Sequence, residues 1–498
     1  IDGNGLTVSN KDATINSITV GKGANSVAGN TVLGEGALDA AVTGASNTAI
    51  GKDALTANTS GYDNVAVGLD ALKTNTTGNE NVAIGKVSLD ANTSGVKNVG
   101  VGKYTLSGNT SGGSNTAVGD QALFANTTAS NNTAVGKFAL KLNTTGTQNT
   151  AVGALALDAN TTASFNTAIG YASLSENTTG SQNTAIGVLT LDANTTGNSN
   201  VGIGVNCLTD NTTGDNNIGV GREALFVNST GASNVAVGYR SLQANTTANN
   251  NTAVGTDTLK VNTTGANNVA VGSLALDANT TGNKNVAIGK GSLSANTTAH
   301  DNVAIGGEAL LVNTTGTLGT AVGSNALAAN TTGNSNTALG ANSMLVNTTG
   351  QDNVAVGRAT LDANTTGASN TAIGMQALSE NTTASNNTAV GRNAMLVNTT
   401  GTQNTAVGAF ALEDNTTAND NTAIGYTSLY KNTTGTSNTA VGLQSLFSNL
   451  TGNQNTAIGK DTLRDNTTAA NNTAVGFNAL LTNTTGDLNT AVGKSCLA

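Results

Sequence analysis

The stretch Asn-Thr-Ala-Ile-Gly at 47–51 decides the fold of this chain, because it returns at one fixed spacing. It comes back as Asn-Val-Ala-Val-Gly at 64–68 and as Asn-Val-Ala-Ile-Gly at 81–85. The motif runs from Asn30 to Asn489, over 459 residues or 27 steps of 17, without insertion or deletion. A strict period of this kind is typical of a solenoid, in which each repeat stacks on the previous one in the same geometry.

Places within one repeat are numbered from the motif's Asn, so Asn64 is position 1 and Glu80 is position 17 of one copy. The consensus is Asn-[Thr/Val]-Ala-[Val/Ile]-Gly at positions 1–5, [Ala/Ser/Thr]-Leu at 8 and 9, and Asn-Thr-Thr-[Gly/Ala] at 12–15. Met344 and Met395 replace the Leu of position 9. Variation concentrates at positions 6, 7, 10, 11, 16 and 17, which we therefore expect to face solvent.

The repeat predicts an all-β, parallel β-solenoid in which each 17-residue repeat forms one coil. Positions 2–4 alternate as a strand does, and the glycine of position 5, such as Gly85, supplies a turn open to positive φ. Positions 8 and 9 start a second short strand, and a run such as 75–78 closes the coil with residues that tolerate left-handed backbone. At ~4.7 Å per coil, the coils would extend about 130 Å and stack the Asn residues of position 12 into a hydrogen-bonded ladder.

One coil offers a thin core. Its large apolar side chains are Leu at position 9, Val or Ile at position 4 and, in some copies, Val at position 2. We therefore expect copies of the chain to pack together as a homotrimer, with the small residues of positions 3 and 8 near the axis. Residues 1–29 are predicted to form a lead-in or cap, and residues 30–498 a stack of about 27 coils that is open at its C-terminal end. A further segment or a partner would cover that open edge.

The motif at 81–85, 285–289 and 302–306 resembles the head repeat of trimeric autotransporter adhesins. The longer pattern, with Ala-Leu and Asn-Thr-Thr-Gly after the motif, is similar to repeats of phage tail-fibre proteins. The resemblance covers nearly the whole chain. It implies a left-handed parallel β-roll, three chains around one axis, and a location on a virion or a bacterial surface. Adhesin heads use a shorter repeat and are followed by a coiled-coil stalk, so the tail-fibre branch or a fragment is the expectation here.

Composition argues against several classes of protein. The chain has 62 Gly, no Pro, one His and 10% charged residues, against about 25% charged in ordinary soluble domains. With a net charge of −9, the chain has no excess of basic residues to neutralise phosphates, so nucleic-acid binding is not expected. No apolar run is long enough to span a membrane. The first residues, 1–5, do not read as a signal peptide, and the missing initiator Met suggests a processed chain or a fragment.

Residues that carry chemistry are sparse, so we predict no enzyme, no cofactor and no metal site. His300 lies at a variable position and reads as a solvated turn residue. Cys207 and Cys496 share position 8 and are 289 residues apart, too far for an intrachain disulfide in a regular stack; each reads as a buried substitute for Ala, with an interchain bridge as the alternative. The Asp of position 10, as in Asp90, Asp158 and Asp277, is expected to be solvated. The Asn-Thr-Thr sequon is expected to be structural, not glycosylated.

These observations favour a structural and adhesive extracellular fibre, the shaft or head of a phage tail fibre or of a bacterial surface adhesin. A passive shaft is preferred, and any contact with a host-cell surface or glycan is expected from aromatic side chains at variable positions. Those candidates are Tyr171, Tyr239, Tyr426, Phe138, Phe410, Phe124, Phe226, Tyr430 and Phe447, with Phe477 alongside them. The alternative is an ice-binding or other flat-face solenoid. Ice binding expects outward Thr-x-Thr, whereas the threonines of positions 13 and 14 are adjacent and would face opposite ways on a strand.

Overall fold

The computed structural model describes residues 12–497 and confirms an all-β parallel β-solenoid with one coil per 17-residue repeat and about 27 turns. The chain divides into two compact units, Ile1–Asn249 and Asn250–Ala498. Each unit is a stack of coils. The predicted lead-in falls partly on residues 1–11, which lie outside the described residues.

The lead-in joins the sheet of the first unit with antiparallel strands. Strand β2 pairs antiparallel with β1 on one side and with β3 on the other. The Asp12 carboxylate accepts hydrogen bonds at 2.6 Å from the backbone N–H groups of Lys22 and Gly23. The elements of this segment are β1 (Ala13–Ile15), β2 (Ile18–Gly21), a short 3₁₀ turn (Ala24–Ser26) and β3 (Thr31–Gly34).

From β3 onwards each coil contributes one short strand at positions 2–4, and neighbouring strands pair in parallel. Within each unit the register of these parallel pairs is residue i with residue i + 17, as between Ala66 and Ala83. The first unit continues with β4 (Thr48–Ile50), β5 (Val65–Val67), β6 (Val82–Ile84), β7 (Val99–Val101), β8 (Thr116–Val118), β9 (Thr133–Val135), β10 (Thr150–Val152), β11 (Thr167–Ile169), β12 (Thr184–Ile186), β13 (Val201–Ile203), β14 (Ile218–Val220) and β15 (Val235–Val237).

The second unit repeats the same arrangement, again with parallel neighbours in register, as between Ala287 and Ala304. Its strands are β16 (Thr252–Val254), β17 (Val269–Val271), β18 (Val286–Ile288), β19 (Val303–Ile305), β20 (Thr320–Val322), β21 (Thr337–Leu339), β22 (Val354–Val356), β23 (Thr371–Ile373), β24 (Thr388–Val390), β25 (Thr405–Val407), β26 (Thr422–Ile424), β27 (Thr439–Val441), β28 (Thr456–Ile458), β29 (Thr473–Val475) and β30 (Thr490–Val492).

The second strand predicted at positions 8 and 9 is wrong. Those positions lie in a turn, and the Leu of position 9 has left-handed backbone, with φ of 47° at Leu72. Positions 7 and 17 are left-handed too, at Asp70 and Glu80, both with φ of 57°. The turn still bonds coil to coil, because Leu72 N–H donates to the Ser88 carbonyl at 3.0 Å. Left-handed L-residues cost roughly 1–2 kcal/mol each, and this bonding through the turns helps to offset that cost.

The prediction for position 5 is confirmed; positions 12–15 close the coil as predicted, but without left-handed backbone. Gly85 at position 5 has φ of 138°, and a Cβ there would collide with the carbonyl of Gly102 in the next coil. Only glycine combines that backbone with that close approach. The Asn75–Gly78 run closes the coil without any residue in the left-handed region. Position 5 is therefore glycine for two reasons, and position 15 tolerates Ala, as at Ala129.

Two asparagine ladders run inside each unit. The predicted ladder of position 12 is confirmed: Asn75 Nδ2 donates to Asn58 Oδ1 at 3.0 Å, and Asn92 Nδ2 to Asn75 Oδ1 at 2.8 Å. A second ladder forms at position 1, where the backbone N–H of Asn81 donates to Asn64 Oδ1 at 3.0 Å. These side chains are fully buried. Their amides also donate to turn carbonyls, as Asn64 and Asn75 both do to Gly78, so the buried amide groups of these ladders are satisfied.

The interior of a coil holds small residues together with one large one. Ala66 at position 3, Ala71 at position 8 and Leu72 at position 9 are fully buried within their own chain. The prediction that positions 3 and 8 meet a partner chain is therefore wrong. Val67 at position 4, predicted as core, points outward instead. The strand turns position 3 inward and position 4 outward; position 3 is Ala or Gly in nearly every copy, and the first coil buries Val32 there beside Leu38.

Candidate functional site

The broad surface that the coils present is the outer side of the sheet, which we call the outward sheet face: positions 17, 2, 4 and 6. Exposure alternates along this segment. In one coil Ala83 is fully buried between Val82 and Ile84, and Ile84 is 40% exposed. Alternation of this kind follows from the two-residue period of a strand. The face is therefore four columns wide, each column contributed by one residue per coil.

The two central columns are apolar or weakly polar in every coil. Position 2 is Thr, Val or Ile, and position 4 is Val or Ile except at Leu33 and Leu339. Most of these side chains are β-branched and none carries a charge. Exposed apolar patches on monomeric proteins rarely exceed a few hundred Å², and larger ones mark interaction sites. Stacked over many coils, these columns form such a patch in each unit.

The two outer columns differ in charge. Position 6 carries ten basic residues against two acidic ones, Glu35 and Asp120, and all ten are exposed: Lys52, Lys86, Lys103, Lys137, Arg222, Lys290, Arg358, Arg392, Lys460 and Lys494. Position 17 carries five acidic residues against Lys97 and Lys284: Asp63, Glu80, Asp301, Asp352 and Asp420. One margin of the apolar columns is therefore basic and the other is weakly acidic.

Sequence reasoning missed this face because it assigned the Val and Ile of position 4 to the core. A signal was present in the sequence. Position 3 is Ala or Gly in nearly every copy, and small residues that hardly vary indicate a tightly confined site. Position 4 tolerates Val, Ile and Leu, as expected of side chains without close neighbours on the outer side.

The aromatic candidates lie on the outward face and on the neighbouring edge formed by positions 7 and 10. Tyr171 and Tyr426, at position 6, are more than half exposed. Tyr239 and Phe124 are exposed to a lesser degree. The others are half-buried: Phe138, Phe410, Phe226, Tyr430 and Phe447. The nine residues do not form one site.

Four of the candidates form two ring pairs in neighbouring coils. Phe410 and Tyr426 make an edge-to-face contact, with ring centroids 5.9 Å apart at 90°. Tyr430 stacks on Phe447, with centroids 5.2 Å apart and planes 7° from parallel. We call these four residues the aromatic cluster. Offset-stacked and edge-to-face pairs are favourable arrangements for aromatic rings.

Charged groups surround the aromatic cluster. Arg392 Cζ lies 5.5 Å from the centroid of the Phe410 ring, and Lys431 Nζ lies 5.6 Å from that of Phe447. Asn393 Nδ2 donates to Glu413 Oε1 at 3.2 Å, and Glu413 is buried beside Tyr430. Desolvation raises the pKa of the Tyr430 phenol, and the negative charges of Glu413 and Asp414 raise it further. The phenol is therefore held neutral as a hydrogen-bonding group.

Two of the remaining aromatic candidates, Phe138 and Tyr239, contact cations of the chain. Lys137 and Lys141 both lie close to the Phe138 ring centroid, at 4.7 and 4.6 Å. Arg240 lies 4.5 Å from that of Tyr239. Such contacts contribute about 0.5–1 kcal/mol at exposed sites. They hold these side chains against the surface of their own chain.

The aspartates of position 10 are not simply solvated, which corrects the prediction for two of them. Burial against neighbouring coils raises the pKa of Asp90 and Asp158, and of Asp192 at the same position. Asp277 accepts a hydrogen bond at 2.6 Å from Ser294 Oγ in the next coil. Desolvation penalises the charged form of a carboxyl group, so this column is partly withdrawn from water.

The other residues singled out in the sequence lie in surroundings that fit structural roles. Cys207 is a free, fully buried thiol whose pKa burial raises to about 12, as expected of a substitute for Ala; Cys496 is free and partly exposed. His300 is exposed and lies 2.6 Å from Asp301 through Nδ1. The sequon Asn of position 12 is buried in its ladder, which favours the structural interpretation. Residues 12–497 contain no group of three His, Cys, Asp or Glu that could hold a metal ion.

Comparison of the sequence with models of known families gives no match, and no curated protein matches it. Within the described part of the chain, no helix is long and apolar enough to cross a membrane.

Proposed function

We propose that this chain is a structural and adhesive fibre protein that acts outside the cell, as the shaft or head of a phage tail fibre or of a bacterial surface adhesin. The observation that carries the proposal is the continuous bonding of coil to coil. Buried Asn side chains and backbone groups link successive coils in each unit, as at Asn75 and Leu72. Such a one-dimensional stack resists local opening, because every coil is held by its two neighbours.

Self-association belongs to this proposal. The coil fills its own interior with Ala and Leu, so the contact between copies moves from positions 3 and 8 to the outward sheet face. A homotrimer remains the expected assembly. Native mass measurement should give three times the mass of one chain, and a stable monomer would contradict this part of the proposal.

The aromatic cluster is the best-placed surface for an adhesive contact with a host-cell surface or glycan. It concentrates four of the chain's 13 Tyr and Phe residues within three successive coils. Exposed aromatic residues commonly anchor partners. The passive shaft remains the preferred interpretation, since the other five candidates form no common site and two of them, Phe138 and Tyr239, contact cations of their own chain.

Binding of the purified chain to bacterial cells and to a glycan array tests the adhesive interpretation. A shaft shows no saturable binding. If binding occurs, Tyr426→Ala with Phe447→Ala should abolish it, whereas the matched pair Tyr171→Ala with Phe138→Ala, outside the cluster, should not. If only the matched variant loses binding, the contact lies outside the aromatic cluster.

One observation favours ice binding as a second candidate function. Position 2 is Thr in eight successive strands, β23–β30, so this part of the outward face is a regular Thr-x-Val/Ile array. Thr-x-Thr is absent from these eight strands, because position 4 is Val or Ile in each of them. Thermal hysteresis, the gap between the melting and the freezing temperature of an ice crystal in the protein solution, tests this candidate. If the two temperatures coincide, ice binding is refuted.

A further inference from the structure

We infer that the outward sheet face is the surface through which copies of this chain bind one another, side by side and in parallel orientation. This inference rests on the self-association in the proposed function and specifies its surface, its partner and its direction. Three features carry it: the apolar area of the face, the opposite charges of its margins, and the spacing of those charges from coil to coil.

The area is sufficient for a stable interface. The side chains of position 4 are exposed by 37% at Val271 and 41% at Ile458, and position 2 adds a second partly exposed side chain in each coil. Burying the exposed parts of two β-branched side chains removes roughly 80 Å² from water. About ten coils then supply the ~800 Å² per partner of a standard interface. The second unit contains fifteen strands, β16–β30, and so exceeds this requirement by itself.

The charges select the orientation. When copies are related by rotation about an axis parallel to the solenoid, the position 6 margin of one copy meets the position 17 margin of the next. In the second unit this brings five basic residues and no acidic one at position 6 opposite three acidic residues and Lys284 at position 17. An antiparallel pair would place position 6 against position 6 and repel. Like-charge juxtaposition suppresses wrong pairings.

The spacing of the charges distinguishes a shift of one coil from no shift. The apolar columns are nearly the same in every coil, so alone they would permit copies to shift by one coil, about 4.8 Å, at little cost. The basic residues of position 6 in the second unit are separated by four, two, four and two coils, at Lys290, Arg358, Arg392, Lys460 and Lys494. A shift of one coil moves each of them to a new opposing residue. The apolar columns therefore provide the contact area, and the margins provide the orientation.

Crosslinking of single cysteines tests the face and the orientation. In a background with Cys207→Ala and Cys496→Ala, two variants carry Val271→Cys or Ile458→Cys, and a control carries Thr281→Cys at the exposed position 14. Packed sheets lie about 10 Å apart, so a short bis-maleimide is used instead of disulfide oxidation. A parallel assembly crosslinks copies efficiently at both 271 and 458, and not at 281.

Other crosslinking results overturn the inference in distinguishable ways. In an antiparallel pair a residue meets its own copy only near the two-fold axis, so crosslinking at one position alone indicates that arrangement. An oligomer that crosslinks at neither position uses another surface, and the fibre proposal then stands without this face. A monomer by native mass removes self-association, whereas the cell-binding assay still tests the adhesive function.

Charge reversal tests the margins independently. Reversing three position 6 charges should weaken self-association on the order of tenfold at low salt, through Lys290→Glu, Arg358→Glu and Arg392→Glu. Adding the opposite reversals at position 17 should restore most of the loss, through Asp301→Lys, Asp352→Lys and Asp420→Lys. A control reverses three charges of position 11, away from the face, through Glu380→Lys, Lys431→Glu and Asp465→Lys. Equal affinity in all variants would show that the margins do not meet.

Discussion

Replacing Asn194 by Asp changes one buried side chain of the position 12 ladder with almost no change in shape. Asn194 Nδ2 donates to Asn177 Oδ1 at 2.9 Å and to the Gly197 carbonyl at 3.0 Å, and its Oδ1 accepts from Asn211 Nδ2 at 2.9 Å. The carboxylate keeps the last bond and loses both donors. Asn177 Oδ1 is then an orphaned buried acceptor, which costs about 1–3 kcal/mol, and burying an unpaired carboxylate adds to that cost. We expect a local loss of at least about 3 kcal/mol at pH 7.

Hydrogen exchange measured by mass spectrometry detects this local loss of stability in the coils where it occurs. A loss of about 3 kcal/mol makes the opening of the affected coils roughly 100-fold more frequent, so peptides within 177–214 should exchange faster by that factor. Lowering the pH should reduce the effect, because the introduced carboxyl becomes protonated and regains one donor. The control is Thr196→Asp in the same coil, which introduces a carboxylate at an exposed side chain. Exchange in 177–214 that matches the control would refute the ladder as a source of stability.

Three further predictions concern the core, the buried carboxylates and the left-handed turns. Gly219→Ala would place a Cβ 2.5 Å from Cys207 Sγ, so it should lower the unfolding free energy by about 1–3 kcal/mol; adding Cys207→Ala should recover most of that in denaturant titrations. Burial raises the pKa of Asp192 above its ordinary value of 3.8. The folded protein therefore loses stability as the pH rises from 3.8 through the raised pKa, because the buried carboxyl must ionise. Asp192→Asn should stabilise the protein at pH 7 and make no difference at pH 3. Ala172→Gly at position 7, where φ is 48°, should stabilise by about 0.5 kcal/mol in thermal melts, and destabilisation there would contradict the strain argument.

The sequence predicted the solenoid, the parallel stacking and the position 12 ladder, because an unbroken period leaves one geometry for successive repeats. It did not predict which side of the strand faces inward. Alternation in a stretch such as Val82–Ile84 is compatible with either choice, and hydrophobicity alone favours Val and Ile inside. In the structure Ala83 faces inward and Ile84 outward, and this choice is apparent only once the coil is closed.

Other features that were not predicted from the sequence lie in the turns. The left-handed Leu72 is invisible to propensity arguments, since leucine rarely adopts that backbone and the stacked coils impose it. The contacts within the aromatic cluster could have been predicted from the sequence. Tyr430 and Phe447 are separated by one full repeat, and Phe410 and Tyr426 by one residue less than a repeat, so the period itself indicates contact between adjacent coils.

The central claim is that each 17-residue repeat makes one coil and advances the chain by a single strand spacing. Diffraction from an oriented film or fibre of the purified protein measures that advance directly. We predict a strong reflection along the solenoid axis at about 4.8 Å, the spacing of hydrogen-bonded strands. An axial repeat of about 10 Å, the distance between packed sheets, would contradict the account. Axial reflections at about 5.4 Å and about 1.5 Å, from the pitch and the rise of α-helices, would contradict it equally.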